Sequence, residues 1–134
     1  MNLRNGYIQY REQSVMTASP GDLVLMLYDG CLRQLRLARL SLSPGEGGRA
    51  DFETASQALK KAQDIVMELI NGLDFNYDIA KQLFRLYEYA SHEMVQANVR
   101  KDSLFLDSVE EIMSDLRNTW EQAIRISRSL AAGE

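Results

Sequence analysis

The sequence predicts an all-α protein: an antiparallel up-down four-helix bundle with an N-terminal arm packed on it. Three observations lead there. Four long segments carry apolar side chains at alternating steps of three and four. The connections between them are short or rich in helix breakers, which makes successive helices antiparallel neighbours. No run of alternating apolar and polar residues competes as a strand. The expected boundaries are 1–18 for the arm, 19–130 for the bundle and 131–134 for a frayed tail.

The first helix is predicted from Pro20 to Leu42. Ser19-Pro20-Gly21-Asp22 reads as a capping box, with Ser19 accepting from the N–H of residue 22 and Asp22 bonding back to the cap. Pro20 falls at the first helical position, where its missing N–H costs nothing. Leu23 to Tyr28 is apolar or aromatic at every position. An amphipathic helix shows one apolar stripe, so this stretch needs cover on a second side. The arm, a second subunit or a partner could supply it. Gly30, inside the helix, predicts a close helix approach with Tyr87 or Trp120 crossing over it; the functional alternative is room for a partner backbone.

Ser43-Pro44-Gly45-Glu46-Gly47-Gly48 is a loop. The second helix is predicted from Asp51 to Asn71, with a seam of Phe52, Ala55, Leu59, Ala62, Val66, Leu69 and Leu73, and Asn71-Gly72 as its stop. The third is predicted from Asn76 to Val99. Ile79, Leu83, Leu86, Ala90, Met94 and Ala97 form its main stripe, widened by Ala80, Phe84, Tyr87 and Val95. The fourth is predicted from Asp102 to Leu130, with Phe105, Val109, Ile112, Leu116, Thr119, Ala123 and Ile126 as one stripe. Leu106, Met113, Trp120 and Ile124 lie beside it. Its acids come early and its arginines late, as the helix dipole favours.

Composition narrows the function. At 134 residues the chain is one domain able to bury a core. Net charge is −4 and the 15 basic residues are scattered, which disfavours nucleic acid. No apolar run is long enough to span a membrane, and the N-terminus lacks a secretory signal, so a cytoplasmic location is expected. A single cysteine, Cys31, excludes an internal disulfide and reads as a small buried hydrophobe. His92, the only histidine, is followed by Glu93, Met94, Val95 and Gln96. A carboxylate beside the imidazole repels a phosphoryl group, so phosphotransfer is disfavoured and a surface histidine expected. No Glu-x-x-His pair offers a bundle metal site, and no phosphate or dinucleotide fingerprint occurs. The expectation is a non-enzyme without cofactor or metal.

What remains is apolar surface. Tyr7, Ile8, Tyr10 and Val15 give the arm side chains that could strap it permanently to the bundle or make it a removable lid over a groove. Leu25, Met26 and Tyr28 are the expected groove wall. Met94 and Met113 are added because flexible thioethers suit a varied ligand, although they also fill ordinary cores.

Particular residues then carry a family resemblance. Tyr7 and Tyr10, Ser14-Val15, Thr17-Ala18-Ser19-Pro20, Leu23, and Met26-Leu27-Tyr28-Asp29-Gly30-Cys31 lead it. Ala62-Gln63, Ile65-Val66, Glu68-Leu69, Leu86-Tyr87-Glu88-Tyr89, Ala97-Asn98, Val109, Leu116-Arg117, Trp120 and Ala123 continue it. With these the chain resembles the flagellar secretion chaperone family, FliS, over essentially its whole length. It departs at Gly6, where a proline is common, at Gly21, usually a larger polar residue, and in the glycine-rich loop from Ser43 to Arg49. The resemblance implies a cytosolic chaperone that binds the disordered C-terminal segment of flagellin, blocks premature polymerisation and delivers it to the type III export gate. It implies that the arm occupies the binding surface when flagellin is absent. Other flagellar regulators are further expected partners. The alternative is a structural bundle that self-associates as a homodimer, burying the same helix without a client.

Overall fold

The computed structural model describes residues 20–133. Four helices run α1 (Pro20–Leu42), α2 (Phe52–Asn71), α3 (Asp78–Arg100) and α4 (Asp107–Ala132), with a single 3-10 turn, Ser103–Leu106, ahead of α4. No strand occurs among the described residues. Each helix packs on its neighbours in a ring, α1 on α2, α2 on α3, α3 on α4 and α4 on α1, and the diagonal backbones stay apart.

Side-chain and backbone links fix the antiparallel sense. Asp51 N–H donates to the Ser41 carbonyl at 2.8 Å, while Gly30 of α1 lies against Ile65 of α2. Along α1 and α4, Arg39 meets Asp107 and Glu110, Asp29 meets Arg117, and Asp22 meets Arg128. Numbers rise on one helix as they fall on the other.

Local chemistry sets the ends. Asp51 caps α2, accepting from Thr54 N–H at 3.0 Å and from its hydroxyl at 2.6 Å. Gly72 stops α2 with φ −85°, so this stop uses no left-handed residue. Lys101 supplies one instead, at φ 55°, where α3 ends. The Asp102 side chain then accepts from Leu104 N–H at 2.9 Å. This cap opens the 3-10 turn, so the regular helix starts five residues after the expected Asp102. At the other end α4 stays helical to Ala132, two residues into the tail expected to fray, and Gly133 N–H bonds back to Ser129.

The core is lopsided. From α1 it takes Leu27, Tyr28, Cys31, Leu32, Leu35, Ala38 and Leu42, and from α2 Ala55, Ala58, Leu59, Ala62, Ile65, Val66 and Leu69. From α4 it takes only Val109 and Met113. The α2 seam follows expectation except at Phe52, which is exposed, and Leu73, which is half-buried. Cys31 is fully buried, and burial pushes its thiol up to about 12, so it stays a neutral space-filler.

Gly30 faces Ile65 of α2, not Tyr87 or Trp120: a Cβ placed there would meet Ile65 Cδ1 at 3.4 Å, an ordinary contact with the end of a flexible side chain. Alanine in a helix interior is favoured over glycine by about 1 kcal/mol. Gly30→Ala should therefore raise stability by roughly 0.5–1 kcal/mol. Urea unfolding measures it, and a loss of stability would show that the α1–α2 approach has no slack.

Candidate functional site: exposed apolar surface on α3 and α4

α3 and α4 share a tight turn, and beside it they close on one another. Away from it they do not. In seven-residue steps along α3, Ala97 and Ala90 are buried and Leu83 is half-buried. Along α4, Val109 is buried, Leu116 half-buried, and Ala123 and Leu130 exposed. Residues seven apart share a helix edge, so one edge of each helix passes from core to surface. The α3–α4 interface is accordingly the thinnest of the four.

The open half is strongly apolar. Ile79 is 62% exposed and Ile126 61%, far beyond what a core stripe allows. Leu86 and Leu130 are exposed with them. The sequence stripes on α3 and α4 thus divide: their turn-proximal halves are core, and their far halves stay on the surface. This corrects the expectation of two continuous core stripes. The buried seam of α3 instead passes through Ala80 and Tyr87.

Tyr28 and Tyr87 link α1 to α3 across the bundle interior, hydroxyl to hydroxyl at 2.5 Å. Burial, foremost, raises both phenols above the ordinary tyrosine value and keeps them neutral. Removing one partner of a buried hydrogen bond strands the other, at about 1–3 kcal/mol, whereas removing both can be nearly neutral. Tyr28→Phe and Tyr87→Phe should each destabilise by that amount, and the double variant by less than the sum of the two. Additive losses in a double-mutant cycle would argue against the pair.

α1 and α4 wall the same end. Trp120 donates its indole N–H to the Gly21 carbonyl at 2.9 Å, and Arg128 pairs with Asp22 at 2.7 Å. Between them lies a pocket of about 390 Å3 lined by Gly21, Trp120, Ala123, Ile124, Ser127 and Arg128. A second apolar hollow, about 440 Å3, lies on the outer face of α2 and α3, lined by Met67, Ile70, Phe84 and Val95 with polar neighbours. Phe75 packs edge-on against Phe84 beside it, ring centroids 5.8 Å apart.

The expected site residues fall in three places. Leu25 and Met26 are half-buried at the start of α1, outside the core cluster that takes in their neighbour Val24. Tyr28 is buried, with its hydroxyl held by Tyr87. Met94 and Met113 are fully buried core residues and offer no surface in this conformation. Tyr7, Ile8, Tyr10 and Val15 lie outside the described residues, as does Ser19 of the capping box. Ile79, Leu86, Trp120, Ile126 and Leu130 were missing from the expected set: Ile79, Leu86 and Ile126 belong to the main helix stripes, Trp120 lies beside one, and Leu130 marked only the end of the fourth helix. One signal did exist: Thr119 interrupts the fourth stripe with a hydroxyl, and it is exposed.

Among the described residues no group of His, Cys, Asp and Glu could hold a metal ion. His92 is exposed beside Glu93 at 3.3 Å. No helix of the described chain is long and apolar enough to cross a membrane. The fold is thus an all-α helical bundle that leaves large apolar side chains on its surface, Ile79, Ile126 and Leu130 at the far ends of α3 and α4 and also Val99 and Leu104 near their turn.

Within that class the chain belongs to the FliS family: the family model, flagellar protein FliS, matches residues 3–127. It is 38% identical over 128 residues to the flagellar secretion chaperone FliS of Bacillus subtilis, covering 96% of this chain and 92% of that one. To the FliS chaperone of Salmonella typhimurium it is 37% identical over 117 residues, covering 83% and 81%. To that of Vibrio cholerae it is 30% identical over 138 residues, covering 98% of each. The family is one of chaperones.

Proposed function

We propose that this chain is a cytosolic export chaperone. It holds the C-terminal segment of flagellin on the open end of the bundle, prevents premature polymerisation and delivers the client to the flagellar type III export apparatus. The observation that carries the reading is the exposed apolar surface on the far halves of α3 and α4, on a bundle whose core is already filled without it. An amphipathic client segment lays its apolar face on such a surface as a helix. Burying one Leu- or Ile-sized side chain contributes about 1.5–3 kcal/mol. Several such contacts offset the roughly 2–5 kcal/mol that ordering a disordered segment costs. Leu25 and Met26 extend the surface onto α1. In this reading Tyr7, Ile8, Tyr10 and Val15 cover it until the client arrives, and the export gate and flagellar regulators meet the loaded complex.

Mixing the protein with a peptide of the flagellin C-terminal segment tests this. A one-to-one complex on size exclusion supports the reading. A stable homodimer that takes up no peptide would overturn it in favour of self-association.

A further inference from the structure

The α1–α4 face carries a chain of ion pairs that is closed at both ends and open in the middle. At one end Arg39 bonds Asp107 at 2.5 Å and Glu110 at 3.2 Å. At the other, Arg128 bonds Asp22 at 2.7 Å. Arg117 bonds Asp29 at 2.8 Å and also meets Glu121, which holds Arg125 at 2.5 Å. Between these lies an open cleft of about 440 Å3 lined by Asp29, Leu32, Arg33, Arg36, Ser114, Arg117 and Asn118. Arg33 and Arg36 are exposed and make no ion pair with any described residue, although the other arginines of this face all do.

Two unpaired guanidinium groups lie one turn apart on α1, with a third anchored across the cleft on α4. Ser114 and Asn118, also one turn apart, add a hydroxyl and an amide. Guanidinium forks match carboxylates and phosphates in geometry. The ligand chemistry is narrowed by what is missing: the cleft lies on the mid-faces of two helices, where backbone N–H groups are engaged, so it has no cradle of amide donors for a phosphate. The acids Glu111 and Asp115 on α4, with a net charge of −4 for the chain, oppose a nucleic acid backbone.

We propose that the Arg33–Arg36–Arg117 cleft docks an acidic helical segment of a protein partner, one that presents two carboxylates a single turn apart. The spacing of Arg33 and Arg36 sets that periodicity, because residues three or four apart on a helix are surface neighbours. The inference does not depend on what covers the apolar surface.

The test follows the arginine Nε–H signals of the intact protein by NMR. The probes are an Ala/Gln-based helical peptide of about 15 residues with two Glu four apart, the same peptide with Gln in their place, and inorganic phosphate. The expected result is a saturable shift of Arg33, Arg36 and Arg117 with the Glu peptide, with a Kd of about 1 mM. It should weaken roughly tenfold in Arg33→Gln/Arg36→Gln and again as salt rises from about 50 to 300 mM. Both substitutions are at exposed positions, and an unchanged Tm verifies the fold. No response to the Glu peptide, an equal response to the Gln peptide, or an equal response to phosphate (an adventitious ion only) would overturn the proposal. No flagellin peptide enters the experiment, so its failure leaves the reading of the apolar surface untouched.

Discussion

Replacing Leu86 and Ile126 together by Asp should leave the bundle folded and cut its affinity for a flagellin C-terminal peptide by about a hundredfold or more. Both side chains are on the surface, Leu86 on α3 and Ile126 on α4. Surface substitutions usually shift stability by no more than about 0.5 kcal/mol, so the far-ultraviolet spectrum and Tm should hardly move. Binding is another matter. Each replacement removes an apolar contact of about 1.5–3 kcal/mol and places a carboxylate against the client's apolar face, and every 1.4 kcal/mol is a tenfold loss. Titration calorimetry with wild-type and variant protein measures the effect. Unchanged affinity in a folded variant would show that the client sits elsewhere, the outer hollow around Met67 and Phe84 being the next surface to test.

Met113→Ala should do the opposite. Met113 is fully buried on α4, where α3 and α4 still touch. Truncating a buried methionine leaves a cavity and costs about 2–5 kcal/mol, or roughly 7–18 °C in Tm for a chain of this size. Client affinity measured well below the new Tm should change little. Met94→Ala is expected to behave alike, since Met94 is equally buried on α3. A variant of normal Tm with weakened binding would return these thioethers to the binding surface.

The two results would divide what the sequence could convey from what it could not. α1 from Pro20 to Leu42, and the α2 seam from Ala55 to Leu69, were legible because a helix and its buried face are encoded by spacing within a few turns. The ends capped by Asp51 and Asn71-Gly72 were legible for the same local reason. The far halves of α3 and α4 were not. Spacing tells which residues share an edge, but not whether another helix stands opposite. Ile79 and Ala97 occupy the same edge of α3, and only the turn at Lys101 decides that one is buried and the other is not. The methionines failed differently: a thioether fits a core and a client surface equally well, and only burial separates the two uses. Gly30 suggested a close approach, but a Cβ there would meet only the end of Ile65 at ordinary contact distance, and one sequence cannot say which neighbour lies opposite.

The uneven core has a consequence for motion. Cooperative opening follows local burial. Amides around Ala97 and Val109 should exchange with solvent only when the whole molecule unfolds, while those of the last turns of α4 exchange through small excursions. On the proposed reading the bundle would work as a clothes-peg with a stiff spring and loose jaws, parting its tips for a guest while the hinge stays shut.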